Sequence, residues 1–330
     1  MPALLEIRGL AVQYGIEDGE PVHAVRGIDL TVAPGEVTAL VGESGAGKST
    51  IALSTIGVLP PNARLTSGEV LFEGADLRSM KDEPLRRLLG NTIAMIWEDP
   101  GKRLDPMMRV GPQLEEVMVA HREMPSAEIR RQVIAELALM RLPDPEAIFD
   151  AHPHELADGM AHRVMLAMAT ILRPRLLIAD DPTSRFDAVL RAQLLDVLQR
   201  MKENADLAML LITHDMGAVA QLADQVAVIY AGRIAEVGSV QEIFQTPRHP
   251  YTADLIASMD PFVRAREPRL PQIAVAPADL SALAGHCPFL ARCTDATETC
   301  VREPEPDLAP ADAATDAHRA ACYNPIPVHS

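Results

Sequence analysis

Aromatic side chains are scarce in this chain of 330 residues: one Trp, four Tyr and six Phe make up 3% of it. With 48% of the residues hydrophobic, the core must be mainly aliphatic, which suits an α/β fold better than a β-sandwich. Cysteine is missing from the first 286 positions, and all four cysteines lie beyond them. Disulfides are therefore not spread through the main fold, and a reduced, cytosolic setting is expected. Long apolar runs are missing too. The longest, near Val164–Leu172 and Leu207–Ile212, fall far short of the roughly 18 residues a membrane span needs. The opening Met1-Pro2-Ala3-Leu4-Leu5-Glu6 has neither a basic nor an extended apolar region, so it does not read as a secretory signal. The chain is expected to be soluble, reaching a membrane only through other subunits. Positive charge is short as well: 30 Lys and Arg against 46 Asp and Glu leave a net charge of −16, which excludes a surface built for nucleic-acid phosphates.

What is present alternates between strand and helix. Residues 4–12 and 22–32 have strand periodicity, and the Pro34-Gly35 turn separates the second from an apolar strand, Val37–Val41. A glycine-rich loop precedes a helix from Lys48 to about Val58, which Pro60-Pro61 closes. Glu69–Phe72 and Thr92–Trp97 read as short strands. From about Val110 to Leu172 the pattern is helical, with apolar residues three and four apart in Ile129–Leu139. Leu176–Ala179, Val189–Met201, Ala208–Ile212, Met216–Leu222 and Val226–Tyr230 then alternate strand and helix, which implies a largely parallel sheet covered by helices. Near Pro261 the composition shifts to Pro and Ala with weak periodicity, and this stretch reads as a separate appendage.

Two motifs carry chemistry. Gly42-Glu43-Ser44-Gly45-Ala46-Gly47-Lys48-Ser49 fits the phosphate-binding loop and lies between a strand and a helix. Glycines let backbone N–H groups converge on an anion, and the helix N-terminus adds its positive end. Lys48 would reach the β- and γ-phosphates, Ser49 would ligate Mg²⁺, and Thr50 follows in the same first turn. Leu176-Leu177-Ile178-Ala179-Asp180-Asp181 is an apolar strand ending in carboxylates, with Asp180 placed to hold Mg²⁺ as in P-loop NTPases. A strand that ends in Asp is common, and it gains meaning here from the loop.

The segments around these motifs resemble the ABC ATPase family from about residue 4 to residue 245. Leu156-Ala157-Asp158-Gly159-Met160-Ala161-His162-Arg163 is similar to the signature sequence, usually Leu-Ser-Gly-Gly-x-x-Gln-Arg. Trp97-Glu98-Asp99-Pro100 resembles the Q-loop, Ser184-Arg185-Phe186-Asp187 the D-loop, and Thr213-His214-Asp215 the H-loop. Tyr14 occupies the place of the aromatic that stacks on adenine. His152-Pro153-His154-Glu155-Leu156, Tyr230-Ala231-Gly232-Arg233-Ile234, Pro247-Arg248-His249-Pro250-Tyr251-Thr252 and Cys287-Pro288-Phe289-Leu290-Ala291-Arg292-Cys293 resemble the ATP-binding subunits of dipeptide, oligopeptide and nickel importers.

That resemblance implies a P-loop α/β core with an antiparallel β subdomain and a helical subdomain at about 98–165. An ATP-binding domain would occupy 1–250 and a Cys-bearing extension 251–330. It implies ATP and Mg²⁺ as cofactors, with Ser49, Glu98 and Asp180 around the metal, and Asp181, Glu98 and His214 as the catalytic set. Tyr14, the loop residues Gly42, Ser44, Gly45, Gly47 and Lys48, the signature residues Ala157 to Gly159, and Asp187 would complete the nucleotide site. The implied partners are a second ABC ATPase subunit, two transmembrane permease subunits and an extracytoplasmic solute-binding protein, with this chain peripheral at the cytoplasmic face of the membrane. Rival readings are a regulatory subunit that binds nucleotide without hydrolysing it, a nickel-importer ATPase, and a soluble ABC protein of repair or translation.

Four departures fall on catalytic positions. Asp181 replaces the Glu that polarises the attacking water, and a carboxylate drawn back by about 1 Å can cost on the order of 100-fold in rate. Glu98 replaces the Q-loop Gln. Ala157 replaces the signature Ser, whose hydroxyl would bond the γ-phosphate. Asp158 replaces a Gly, where it reads either as a helix N-cap or as an anion in the seat meant for phosphate. In the tail, Cys287, Cys293, Cys300 and Cys322 have five, six and twenty-one residues between them. Four thiolates suit an iron–sulfur cluster or zinc, and free thiols remain open. Similar tails in the importer branch are associated with a [4Fe–4S] cluster.

Overall fold

Buried and outward-facing positions alternate along Leu5–Tyr14, as expected of a strand with one face on a core. In this computed structural model, which describes residues 2–16, 19–98, 103–184, 186–204, 207–258, 285–312 and 315–327, that segment is β1. It pairs antiparallel with β2 (Val22–Val32). The strand β3 (Val37–Val41) is buried at every position and leads through the loop into helix α1 (Lys48–Thr55). Next come β4 (Ala63–Phe72) and β5 (Ala75–Asp76). Helix α1 stops three residues short of the expected Val58, because Gly57 has φ +72°. Strand β4 starts six residues before the expected Glu69, since residues Ala63–Ser67 pair with the far half of β1 while staying largely exposed.

The chain continues through α2 (Asp82–Leu88) and β6 (Ile93–Ile96). Four helices follow: α3 (Val110–His121), α4 (Ser126–Leu139), α5 (Pro145–Asp150) and α6 (Asp158–Thr170). The alternating part is β7 (Leu176–Asp180), α7 (Ala188–Asn204), β8 (Ala208–Thr213), α8 (Met216–Leu222) and β9 (Gln225–Tyr230). It ends with β10 (Arg233–Ser239), α9 (Val240–Gln245) and α10 (Pro250–Ala257). The described tail adds a short helix, Glu298–Arg302, and the strands β11 (Ala309–Asp312) and β12 (Thr315–Ala320).

These elements form two compact units. The first comprises Met1–Val32, Val37–Arg78 and Ile212–Ser330. It contains the antiparallel sheet β2-β1-β4-β5 and a second run of strands in the order β11-β12-β10-β9-β3. There β3 and β9 are parallel, with Thr38 beside Gln225 and Val41 beside Val228. The tail, which the sequence suggests is an appendage, is joined to this unit: β12 pairs with β10 at Glu236↔Ala320 and Val237↔Arg319. Arg26 donates two hydrogen bonds to Glu305, at 2.7 and 2.8 Å.

The second unit comprises Ala33–Glu36 and Ser79–Leu211. Its strands run β8-β7-β6, with β6 and β7 parallel from Ile93↔Leu176 to Ile96↔Ala179. Strand β7 is buried throughout, as a strand covered on both faces must be. Helices α3 to α6 pack around Leu114, Val133, Leu137 and Val164, all fully buried. Among the described residues, no helix is long and apolar enough to cross a membrane.

Candidate functional site

The glycine-rich loop leaves β3 and enters α1 within the first unit. Its shape requires glycine at two points. A Cβ on Gly42 would sit 2.2 Å from the Ile229 carbonyl oxygen, and one on Gly47 would sit 2.4 Å from that of Ala24. Gly47 also has φ +104° and forms the N-cap of α1, so no side chain covers the helix N-terminus there. Lys48 folds back over the loop, its Nζ donating to the carbonyls of Gly42 at 2.8 Å and Glu43 at 2.9 Å. Ser44, Gly45 and Ser49 are exposed and Thr50 is buried. The Tyr14 hydroxyl on β1 is 3.1 Å from Thr50 Oγ1, which joins the expected adenine-side residue to the loop's helix. His214 is exposed in the turn between β8 and α8, where Asp215 caps α8 by accepting from the N–H groups of Gly217 and Ala218.

The second unit gathers the other predicted residues. Asp180 ends β7 and is buried, with Asp181 next to it at φ +46°. This left-handed conformation favours short polar side chains such as Asp over longer ones. Glu98 is exposed just beyond β6; Asp99, Pro100 and Arg185 lie outside the described residues. Asp187 caps α7, accepting from the N–H groups of Val189 and Leu190, both at 2.9 Å. Asp158 is not the N-cap of α6. That position belongs to Ala157, which is extended (φ −66°, ψ 151°) and has no side-chain acceptor, so Asp158 becomes the first helical residue. Gly159 allows close packing, since a Cβ on it would meet Leu190 Cδ2 at 2.9 Å. The signature and D-loop segments also meet at His162 and Phe186, whose rings are 4.3 Å apart.

Sequence reasoning missed the supports behind the loop. The backbone N–H of Glu43 donates to the Tyr251 hydroxyl at 2.9 Å. Arg292 donates to both carboxylate oxygens of Glu43, at 2.6 and 2.9 Å, and to the Tyr230 hydroxyl at 3.0 Å. Tyr230, Tyr251 and Phe289 form an aromatic cluster with ring centroids 4.5 to 5.5 Å apart. The motif around His249 has its own logic. The buried Glu236 carboxylate accepts from the backbone N–H groups of Arg248 (2.7 Å) and His249 (2.9 Å) and from His318 Nε2 (2.7 Å). His249 Nδ1 accepts from the Tyr251 N–H at 3.0 Å. Burial pushes the His249 imidazole down to about 4, although Glu236 pulls the other way.

Comparison with known proteins decides the family. Residues 25–184 match the ABC transporter model and residues 235–300 match the model for the oligopeptide/dipeptide transporter C-terminal region. The chain is 40% identical to the dipeptide transport ATP-binding protein DppD of Bacillus subtilis over 92% of its own length and 90% of the relative's. It belongs to the ABC transporter ATP-binding subunits of the peptide-importer type. The oligopeptide transport ATP-binding protein OppD of Salmonella typhimurium is 37% identical over 98% of this chain and 94% of that one. Its fold matches that of the ATP-binding cassette MJ0796, solved as a dimer with ADP and Pi. The TM-score is 0.64, with 20% identity, over 72% of this chain and 98% of that chain.

The four tail cysteines leave an iron–sulfur cluster, zinc or free thiols open, with the importer resemblance pointing to a [4Fe–4S] cluster. All four are outside any disulfide and line one cavity together with Phe289. Burial raises the thiols of Cys287 and Cys293, and lifts that of Cys322 to about 11. Among the described residues, no group of three or more His, Cys, Asp or Glu side chains is placed to hold a metal ion. The structure therefore gives the cluster no support.

Proposed function

We propose that this chain binds MgATP through the loop 42–50 and couples nucleotide binding to the transmembrane subunits of a peptide importer at the cytoplasmic face of the membrane. The observation that carries the reading is the loop itself. Gly42 and Gly47 stand where no Cβ fits, the N-cap of α1 is bare, and a lysine lies folded across the carbonyls. An anion with several oxygens suits such a cradle. Peptide as cargo follows the names of the relatives, and this chain would not touch it.

By the family's pattern Lys48 neutralises the β- and γ-phosphates, while Ser49, Asp180 and Glu98 serve Mg²⁺. Asp181 activates water, His214 senses the γ-phosphate, and the signature residues Ala157 to Gly159 with Asp187 act on the nucleotide of a partner ATPase. Hydrolysis is attenuated in this reading. Asp181 is one methylene short for its task, and its left-handed backbone suits Asp better than Glu. Ala157 leaves α6 without a capping hydroxyl, and the same lost hydroxyl removes a donor to the γ-phosphate. A heterodimer with a more typical partner ATPase would spread these departures, one site keeping Asp181 and Glu98 and the other facing Ala157 and Asp158, and that is the assembly proposed. No step needs a metal cluster. Calorimetric titration with MgATP tests the binding half of the proposal. Co-purification from membranes tests the other half, which fails if neither a permease subunit nor a second ATPase comes with the chain.

A further inference from the structure

Glu43 places a carboxylate inside a loop that, on the proposed reading, receives the nucleotide's phosphates. In a chain of net charge −16 such a residue would repel the ligand unless a cation held it. Arg292, 249 positions away, supplies that cation through a two-pronged ion pair whose arginine side chain is 3% exposed and whose glutamate is 19% exposed. The backbone of the same loop residue is fixed twice more: its N–H donates to Tyr251, and its carbonyl accepts from Lys48. Arg292 is itself held in place. Its N–H donates to the Phe289 carbonyl at 2.9 Å, and Phe289, 1% exposed, packs on Tyr230 and Tyr251.

We propose that Arg292 is a positioning residue for the phosphate loop: it neutralises Glu43 and, together with Tyr251, holds the loop backbone in its phosphate-accepting form. The C-terminal extension thereby sets this subunit's nucleotide affinity, a role that rests on the loop being the MgATP site. Removing one partner of a shielded ion pair leaves the other charge uncompensated, here facing a polyanion.

The test is calorimetric titration of the full-length chain with MgATP. Arg292→Ala is expected to weaken binding at least tenfold, about 1.4 kcal/mol, and Arg292→Lys by roughly threefold, since lysine keeps the charge but loses the fork. Adding Glu43→Gln to Arg292→Ala should recover most of the lost affinity, because the repelling charge is then gone. A purely structural role for Arg292 would not give that recovery. Equal affinity in Arg292→Ala and the unaltered chain would overturn the proposal, as would a double variant that binds no better than Arg292→Ala. Should Arg292→Ala not fold, Arg292→Lys decides: unchanged affinity overturns the proposal and weaker affinity supports it. An unaltered chain that binds no MgATP would instead remove the nucleotide reading on which the proposal stands.

Discussion

Lys48 supplies the side-chain cation of the phosphate loop, with its ammonium already drawn over the loop's carbonyls. Lys48→Ala should weaken MgATP binding by at least roughly tenfold, about 1.4 kcal/mol, and an unchanged calorimetric affinity would remove Lys48 from the site. His249 tests a different property. Its imidazole titrates at about 4 in the fold and near ~6.5 when unfolded. Below about pH 6.5 the unfolded chain takes up a proton that the folded chain refuses, so this residue's contribution is complete above that pH and is lost as the pH falls toward 4. Between pH 6.5 and 5 the loss should be about 2 kcal/mol. His249→Asn keeps an acceptor for the Tyr251 N–H and should flatten that part of the urea-midpoint profile. An equally steep profile in the variant would contradict burial as the cause.

At the scale of the element, helix α6 begins with its cap position filled by alanine. Ala157→Ser should restore a hydrogen bond to the first-turn N–H groups and stabilise the chain by about 1 kcal/mol, read as a higher urea midpoint. No rise would show that the cap is already satisfied in another way. The same helix shows where sequence reading stops. The signature motif was legible from Leu156 to Arg163, but the start of α6 slipped by one residue, because an Asp beside an Ala looks like the cap and only the backbone angles of Ala157 settle it. The phosphate loop and β7 were legible because their chemistry is local: glycines, one lysine, an apolar run, a carboxylate. The Glu43–Arg292 pair was not, since nothing local marks two residues 249 positions apart. Strands β11 and β12 were missed because Ala- and Pro-rich stretches carry little alternation, and pairing with β10 alone defines them.

For the whole molecule, the fold and family are those of an importer's ATP-binding subunit, while on the proposed reading Asp181, Glu98, Ala157 and Asp158 depart from that family's catalytic pattern. Asp181→Glu should lengthen the reach to water and raise turnover at this chain's own site with little change in nucleotide affinity. It should also cost up to about 1–2 kcal/mol of stability, because Glu is less suited to the left-handed backbone at that position. Ala157→Ser with Asp158→Gly should act on the partner's nucleotide, so the two sets of changes should add. The most direct measurement is steady-state ATP hydrolysis by the reconstituted complex, with the partner ATPase's catalytic Glu disabled so that only this chain's site turns over. Slow hydrolysis that Asp181→Glu accelerates several-fold is the expected result. A complex that already hydrolyses ATP as fast with Asp181 as with Glu would contradict it.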